Sequence, residues 1–531
     1  MAPPSGLLTP LSFLRRAAAT RPDSPAVLDG EFRASYGQFT QRCARLSDAL
    51  RGVGVGPGDR VAVLAPNGRH MLEAHFGVPG SGAALVALNT RLGPDEYGYI
   101  LAHSRARILI VDPALMPSVE AIVAASSGIE RVVTLGLEYE DWVAAAPPSG
   151  GMMDPADENQ PIAVNYTSGT TGRPKGVVYT HRGAYLNALG TVDAFAVRSD
   201  SVFLWTLPMF HCNGWCLTWG VTAAGGAHAC LPRPDPEHAV RLIGEWHVTH
   251  LCGAPVVLAG LVAEADRVSA RFDPRVSLAV GGAPPSPVMI ARAERAGMSV
   301  VHLYGMTETY GPSLVCTPKP EWALLPFDER ARLMSRQGVP TIVVDEVRVL
   351  DGVGGDVPSD GRTMGELVVR SATLMAGYLD DPKATDAVLR PEGLHTGDLA
   401  VMHPDGYVEI KDRAKDIIIS GGENISSVEI EHVLAEHPAV GEVAVVAAPD
   451  DRWGEVPVAF VTLLPGMPAT AQDLRDFVRT RLAHFKTPRD VVFADLPKTA
   501  TGKIRKSELR RRASGTGPPG AGVEPERTPG S

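Results

Sequence analysis

Over the first 400 or so residues, short runs of valine, alanine and leucine alternate with longer stretches of helical spacing. "DRVAVLAPN", "GAALVALN", "ARILIVD", "RVVTLG", "IAVNYTS", "THLCGAP" and "SLAVGGAP" are apolar runs, often ending in small residues, as buried strands do. "SYGQFTQRCARLSDALRG" and "DPEHAVRLIGEWHV" place their apolar residues three and four apart, as helices do. This alternation predicts an α/β fold: layered, mostly parallel sheets covered by helices, with ligands at the carboxyl ends of the strands.

The pattern changes near residue 400. "GDLAVMHPDGYVEIKDRAKDIIISGG" reads as short hairpin-like strands around a Pro-Asp-Gly turn at 404–406. "SSVEIEHVLAEHP" reads as a serine-started helix, "GEVAVVAAPD" and "EVPVAFVTLL" as strands, and "TAQDLRDFVRTRLAHF" as a second helix. The expected division is a large domain over 1–411, a small α+β domain over 412–512, and a disordered Gly/Pro/Ser-rich tail over 513–531.

Composition narrows the class. The 531 residues are 44% hydrophobic and 21% charged, ordinary for a globular protein. A net charge of −10 with no basic stripe argues against a nucleic-acid partner. The longest apolar run, "LCGAPVVLAGLVA", is too short for a membrane span and is interrupted by Pro255 and two glycines. The arginines of the N-terminal stretch follow its apolar residues, the wrong order for a secretory signal, and the last residues "PGS" are no peroxisomal tripeptide. The expected location is cytoplasmic. A homodimer is compatible with the sequence, which does not fix the oligomeric state. Six cysteines make no disulfide framework in so long a chain. Cys212, Cys216, His228 and Cys230 have no zinc-ribbon spacing and read as small core residues.

One run is too polar for its neighbours. "YTSGTTGRPKG" (166–176) combines bare backbone N–H groups with hydroxyls and cations, which suits a loop closing on phosphates. It is not a P-loop, because Pro174 stands where the second glycine belongs and Gly176 where the magnesium-binding hydroxyl belongs. Embedded between a strand and a strand-helix unit, it does not read as a linker either. Four more stretches stand out in the same way: "YGMTET" (304–309), "HTGDLA" (395–400), "KDRAKDIIISGGEN" (411–424) and "PKTATGKIRK" (497–506). Separately each has a structural reading as a turn, a cap or a solvated face. Their joint occurrence in this order is informative.

Together with "GELVVR", these stretches resemble the adenylate-forming superfamily: acyl- and aryl-CoA ligases, luciferases and peptide-synthetase adenylation domains. The resemblance extends from about Leu11 to Arg512. It implies a large N-terminal domain hinged to a small mobile C-terminal one. The implied reaction joins a small-molecule carboxylic acid to ATP as acyl-AMP, releasing pyrophosphate, and then passes the acyl group to the thiol of coenzyme A.

The resemblance also assigns roles. Thr167, Ser168, Gly169, Thr170, Thr171, Gly172 and Lys175 would hold the β- and γ-phosphates, and Glu308, with Thr171, would hold Mg²⁺. Thr307 would reach the α-phosphate. Gly282, Ala283 and Pro284 would form a flat edge for adenine, with Tyr304 as the opposite ring. Asp398 would accept from the ribose hydroxyls and Arg413 donate to them, with Lys415 and Gly422 of the hinge stretch counted on the cofactor side. Lys503 would lie between the α-phosphate and the attacking carboxylate, where a cation lowers the barrier most.

"LPMFHCNGW" (207–215) looks like the short- and medium-chain acyl-CoA synthetases and methylmercaptopropionate-CoA ligases. There His211, Gly305 and Met306 would lie beside the acyl group, and Trp215 would narrow its pocket unless it is a packed core aromatic. Lys415 departs from the aspartate common at that hinge position. The alternatives are a long-chain or aryl-CoA ligase, an enzyme loading a carrier protein, and a catalytically dead relative.

Overall fold

The computed structural model describes residues 6–125, 128–147, 150–167, 173–273, 275–421, 423–498 and 504–515. Two compact units divide the chain, the first running to Ile410 and the second taking up at Lys411. The boundary expected from sequence lay one residue later.

Most of "LCGAPVVLAGLVA" is the helix Pro255–Arg267, whereas the seven apolar runs of the opening pattern are all strands, and they sort into two sheets of the first unit. In one, Met298–Met306, Val276–Val280, His250–Gly253, Val202–Trp205, Ala227–Cys230 and Pro25–Asp29 lie parallel in that order. Gly311–Val315 and Phe32–Ser35 add antiparallel strands at its two ends. In the other, Pro161–Tyr166, Ala84–Ala87, Arg60–Leu64, Ile108–Val111 and Arg131–Thr134 are parallel. Gly176–Thr180 returns antiparallel beside Pro161–Tyr166, and Gly377–Tyr378 beside it in turn.

Helices fill the space between these sheets. Leu11, Leu14, Phe39, Leu46, Phe76 and Trp219 are buried in one core with Phe203 of the first sheet and Val61, Val63, Ile110 and Ile162 of the second. The outer face of the first sheet is covered by Pro236–Glu245, Pro255–Arg267 and Pro287–Arg295. The outer face of the second is covered by Pro94–Ser104. Helix starts follow from local chemistry: Ser35 and Gln38 make a reciprocal capping box, and Asp235 and Thr180 accept from the third residue of their helices.

The expectation of mostly parallel sheets fails for a third one. Val344–Leu350, Gly365–Ser371, Gly393–Met402 and Leu389–Arg390 pair antiparallel in that order, and Val408–Arg413 joins Gly393–Met402. The longer linkers leave room for a crossover, and one even carries the helix Pro382–Val388, yet each strand pairs with its neighbour in the opposite sense.

In the second unit, Val440–Asp450 and Gly454–Leu463 form a long hairpin flanked by Ile418–Ser420 and Asp490–Phe493. Val445, Val461 and Ala459 pack under Ser427–Ala435 and Ala471–Arg479, while Val446, Val458 and Phe460 pack on Leu509. The helix Lys506–Ala513 includes the first residue expected in the tail, because Leu509 anchors its face.

Candidate active site

The phosphate loop is carried by the hairpin of Pro161–Tyr166 and Gly176–Thr180, and the Thr167 N–H donates to the Lys175 carbonyl at 3.0 Å to close its stem. Ser168, Gly169, Thr170, Thr171 and Gly172 lie outside the described residues, as do Gly422 and Lys503. The Lys175 ammonium sits 4.5 Å from the centroid of the Tyr378 ring. Tyr378, on the strand paired to this hairpin, donates its hydroxyl to Glu308 Oε1 at 2.7 Å. Burial first, and then the Glu308 carboxylate, raises the Tyr378 phenol, so it remains a donor.

Glu308 is 8% exposed and belongs to the turn Thr307–Thr309 that follows Met298–Met306. The preceding residue, Thr307, is held from the hairpin itself: the Tyr179 hydroxyl donates to its carbonyl at 2.8 Å, and the Tyr179 ring stacks on Tyr310. Two tyrosines therefore fix the Thr307–Glu308 turn to the phosphate-loop strands. A carboxylate with one oxygen held by a phenol suits a hard cation at the other.

Asp398 follows Gly397, whose φ of 71° lets the strand turn its carboxylate inward, and only 4% of the residue is exposed. Tyr304 donates to Asp398 Oδ2 at 2.6 Å, so the residues expected at adenine and ribose are hydrogen-bonded to each other. Gly282 and Ala283 are exposed just beyond Val276–Val280, and Gly282 has a φ of 88°. Gly305 has a packing reason of its own. A Cβ there would lie 1.9 Å from the Gly311 carbonyl oxygen. Met306 is half-buried, its N–H bonded to Thr309 Oγ1.

The segment "HCNGW" has the longest run of positive φ among the described residues. Cys212, Asn213, Gly214, Trp215 and Cys216 all have φ between 43° and 60°. A left-handed turn costs about 1–2 kcal/mol for each residue that is not glycine, and persists only where its surroundings enforce it. Ahead of it, Asn67 holds residues 205–209 by donating to the Trp205 and Leu207 carbonyls and accepting from the Met209 N–H. Cys212 Sγ lies 3.8 Å from Thr307 Oγ1 and 4.0 Å from His211 Nδ1, which brings His211 and the turn beside the residue expected at the α-phosphate. Trp215 is 7% exposed and clamped by glycines: a Cβ on Gly281 would lie 2.7 Å from its indole, and one on Gly311 3.3 Å from its Cα. Cys212, Cys216 and Cys230 are buried in the apolar core. Among the described residues no group of three or more His, Cys, Asp or Glu could hold a metal ion.

Arg413 and Lys415 are exposed in the second unit. The turn bearing them is held by Asp412, which accepts from Ser427 N and Oγ, both at 2.6 Å. Sequence reasoning missed Tyr378 and Tyr179, whose apolar stretches carry no sign of chemistry.

Comparison with known proteins agrees with this geometry. The AMP-binding enzyme family matches residues 14–379, and the AMP-binding enzyme C-terminal domain matches 429–503. A peroxisomal acetate/butyrate–CoA ligase of Arabidopsis thaliana is 43% identical, with 96% of this chain and 95% of the relative covered. A 2-methylpropanoate–CoA ligase of Humulus lupulus is 42% identical, with 98% of each covered. Among solved structures, an anthranilate CoA ligase in complex with anthranoyl-AMP superposes with a TM-score of 0.88 at 26% identity, over 96% of this chain and 98% of that one. ATP-bound MatB from Rhodopseudomonas palustris gives 0.84 at 27%, over 96% and 99%. No helix among the described residues is long and apolar enough to cross a membrane. The chain belongs to the AMP-binding enzyme family, as an adenylate-forming acyl-CoA synthetase.

Proposed function

We propose that this protein joins short- or medium-chain aliphatic carboxylic acids to coenzyme A at the expense of ATP. A carboxylate oxygen bonds to the α-phosphorus and the bond to the bridging β-phosphate oxygen breaks, releasing pyrophosphate. The thiol sulfur then bonds to the acyl carbon and AMP leaves.

The observation that carries the chain-length reading is Trp215. Its indole lies against Gly281 and its backbone against Gly311, in the same turn whose Cys212 Sγ lies 3.8 Å from Thr307 Oγ1. Such a wall limits the length of an apolar tail, and the named substrates of the acetate/butyrate and 2-methylpropanoate relatives are of that size.

The other residues take roles their contacts suit. Thr307, its carbonyl occupied by Tyr179, has a hydroxyl proton to donate to an α-phosphate oxygen. Asp398, oriented by Tyr304, accepts from the ribose. Glu308 and Thr171 would hold Mg²⁺, which neutralises phosphate charge when bound. Lys175 and the loop residues Thr167–Gly172 would bind the leaving pyrophosphate, and Lys503 would sit between the two reacting anions. Arg413 would donate to the ribose hydroxyls.

The test is a panel of straight-chain acids from C2 to C16, with ATP and coenzyme A, reading acyl-CoA and pyrophosphate. The expected optimum in kcat/KM falls between about C3 and C8, because each buried CH₂ adds about 0.8 kcal/mol until the wall is met. A best substrate of C14 or longer would refute the reading. The same reading keeps the protein in the cytoplasm although several relatives are named peroxisomal, and cell fractionation decides between the two.

A further inference from the structure

The left-handed turn of residues 212–216 is held from behind by side chains that have no part in the chemistry above. Asn213 is fully buried, His75 is fully buried and Asn165 is 2% exposed. His75 Nδ1 lies 2.6 Å from the Met71 carbonyl, which can only accept, so the proton is on Nδ1 and Nε2 is an acceptor. Asn213 Nδ2 donates to that Nε2 at 2.9 Å. Asn165 Nδ2 donates to Asn213 Oδ1 at 2.6 Å, and Asn165 Oδ1 receives the Asn213 backbone N–H at 3.2 Å. Thr218 Oγ1 closes the set by donating to the Asn213 carbonyl at 3.0 Å.

Every polarity is determined. The Met71 carbonyl fixes the tautomer of His75, the tautomer fixes the orientation of the Asn213 amide, and that amide fixes Asn165. Burial keeps His75 neutral, holding it down to about 4, which leaves Nε2 able to accept. Asparagine tolerates the left-handed conformation better than most residues. Asn165, meanwhile, lies in Pro161–Tyr166, whose end opens into the phosphate loop.

We propose that His75, Asn213 and Asn165 are positioning residues of the acyl site: they lock the left-handed turn that presents Trp215 and register it against the strand that feeds the phosphate loop. This rests on the reading of Trp215 as the wall of the acyl pocket. It goes further by assigning chain-length selectivity to a hydrogen-bonded set that need not touch the acid.

The experiment measures kcat/KM for C4 and C8 acids, KM for ATP and Tm in the wild type, His75→Ala, His75→Gln and Asn213→Gly. Glycine accepts the left-handed backbone but breaks both side-chain bonds, so its effect reports the lock and not the strain. The wild type is run first. If it shows no preference for either acid, the reading of the pocket fails and not the lock alone.

With a preference in hand, His75→Ala and Asn213→Gly should each erode the C4-to-C8 ratio by about tenfold, the size of one or two lost hydrogen bonds. KM for ATP should move by less than about threefold, under half of a tenfold step in free energy. His75→Gln, whose amide can donate to Met71 and accept from Asn213, should restore most of the ratio. A uniform fall for both acids, an unchanged ratio in Asn213→Gly, or no rescue by glutamine would overturn the proposal. If neither broken variant folds, the set is a folding element and the proposal falls as well.

Discussion

Tyr378 donates its hydroxyl to Glu308 Oε1 across 2.7 Å, although 70 residues separate them in the chain. If Glu308 holds Mg²⁺ as proposed, a group that orients it should change metal affinity or activity about 10–100-fold. Tyr378→Phe should raise the Mg²⁺ concentration for half-maximal pyrophosphate release by about tenfold, with KM for the acid little changed. An unaltered Mg²⁺ titration would mean that Glu308 is held well enough by its own turn.

Replacing Trp215 with glycine should move the optimal acid to longer chains. The position has a φ of 54°, which glycine adopts without strain, so the fold should tolerate the change. Loss of the indole opens room for several methylenes, each worth about 0.8 kcal/mol or close to fourfold in affinity. An acid panel that keeps the same optimum would identify Trp215 as core packing.

Gly305→Ala should harm stability. The added carbon would lie 1.9 Å from the Gly311 carbonyl oxygen, backbone against backbone, with no side chain to swing aside. Overpacking of this kind costs about 1–3 kcal/mol, occasionally more. In a unit this large that corresponds to a Tm lowered by about 1–4 °C in a thermal scan. An unchanged Tm would show that the two strands can separate freely.

Acid should weaken the fold through buried histidines. Burial lowers His70, His75 and His181 to about 4, and His228 to about 3. In the unfolded chain these rings titrate near about 6.5. Their folded-state values are depressed, so the unfolded chain binds more protons throughout the window between. The stability they supply is fully present above about pH 6.5 and is lost as pH falls toward 4, at up to about 1.4 kcal/mol per pH unit for each ring. Urea midpoints at pH 7.5, 6.5 and 5 should fall across the last interval. A midpoint as high at pH 5 as at 7.5 would contradict neutral burial.

Lys503→Ala should slow acyl-AMP formation by about 10²–10³-fold, the scale of one lost preorganised donor. Thioester formation from acyl-AMP supplied ready-made should suffer much less. Equal losses in both steps would place Lys503 outside the first half-reaction alone.

Much of this site could be read along the chain. The apolar runs "IAVNYTS" and "SLAVGGAP" marked strands whose carboxyl ends were expected to carry chemistry, and both are strands where the alternation put them. Periodicity reports burial, and burial is what those strands share. It does not report direction, so the antiparallel pairing of Val344–Leu350 with Gly365–Ser371 was not foreseen, although the Pro-Asp-Gly turn at 404–406 did mark the hairpin of Gly393–Met402 and Val408–Arg413. Nor does it report partners distant in sequence. Tyr378 sits in a stretch that looks like any strand end, and His75 in a helix buried almost throughout. The left-handed turn gave one faint signal, an Asn-Gly pair in "HCNGW", easily taken for an ordinary tight turn.

The handedness of residues 212–216 also limits the alphabet in which this pocket can be rewritten. Branching at Cβ is strongly disfavoured at positive φ, and proline cannot reach it at all. Valine, isoleucine, threonine and proline are therefore nearly closed to positions 212, 213, 215 and 216, where a designer seeking to shrink an aliphatic pocket would try them first. Variation has to proceed through glycine, asparagine, unbranched chains and aromatics, in coarse steps of volume. A combinatorial library built on those letters would retain folded members, whereas one biased to branched aliphatics would lose most of its diversity before any acid was offered.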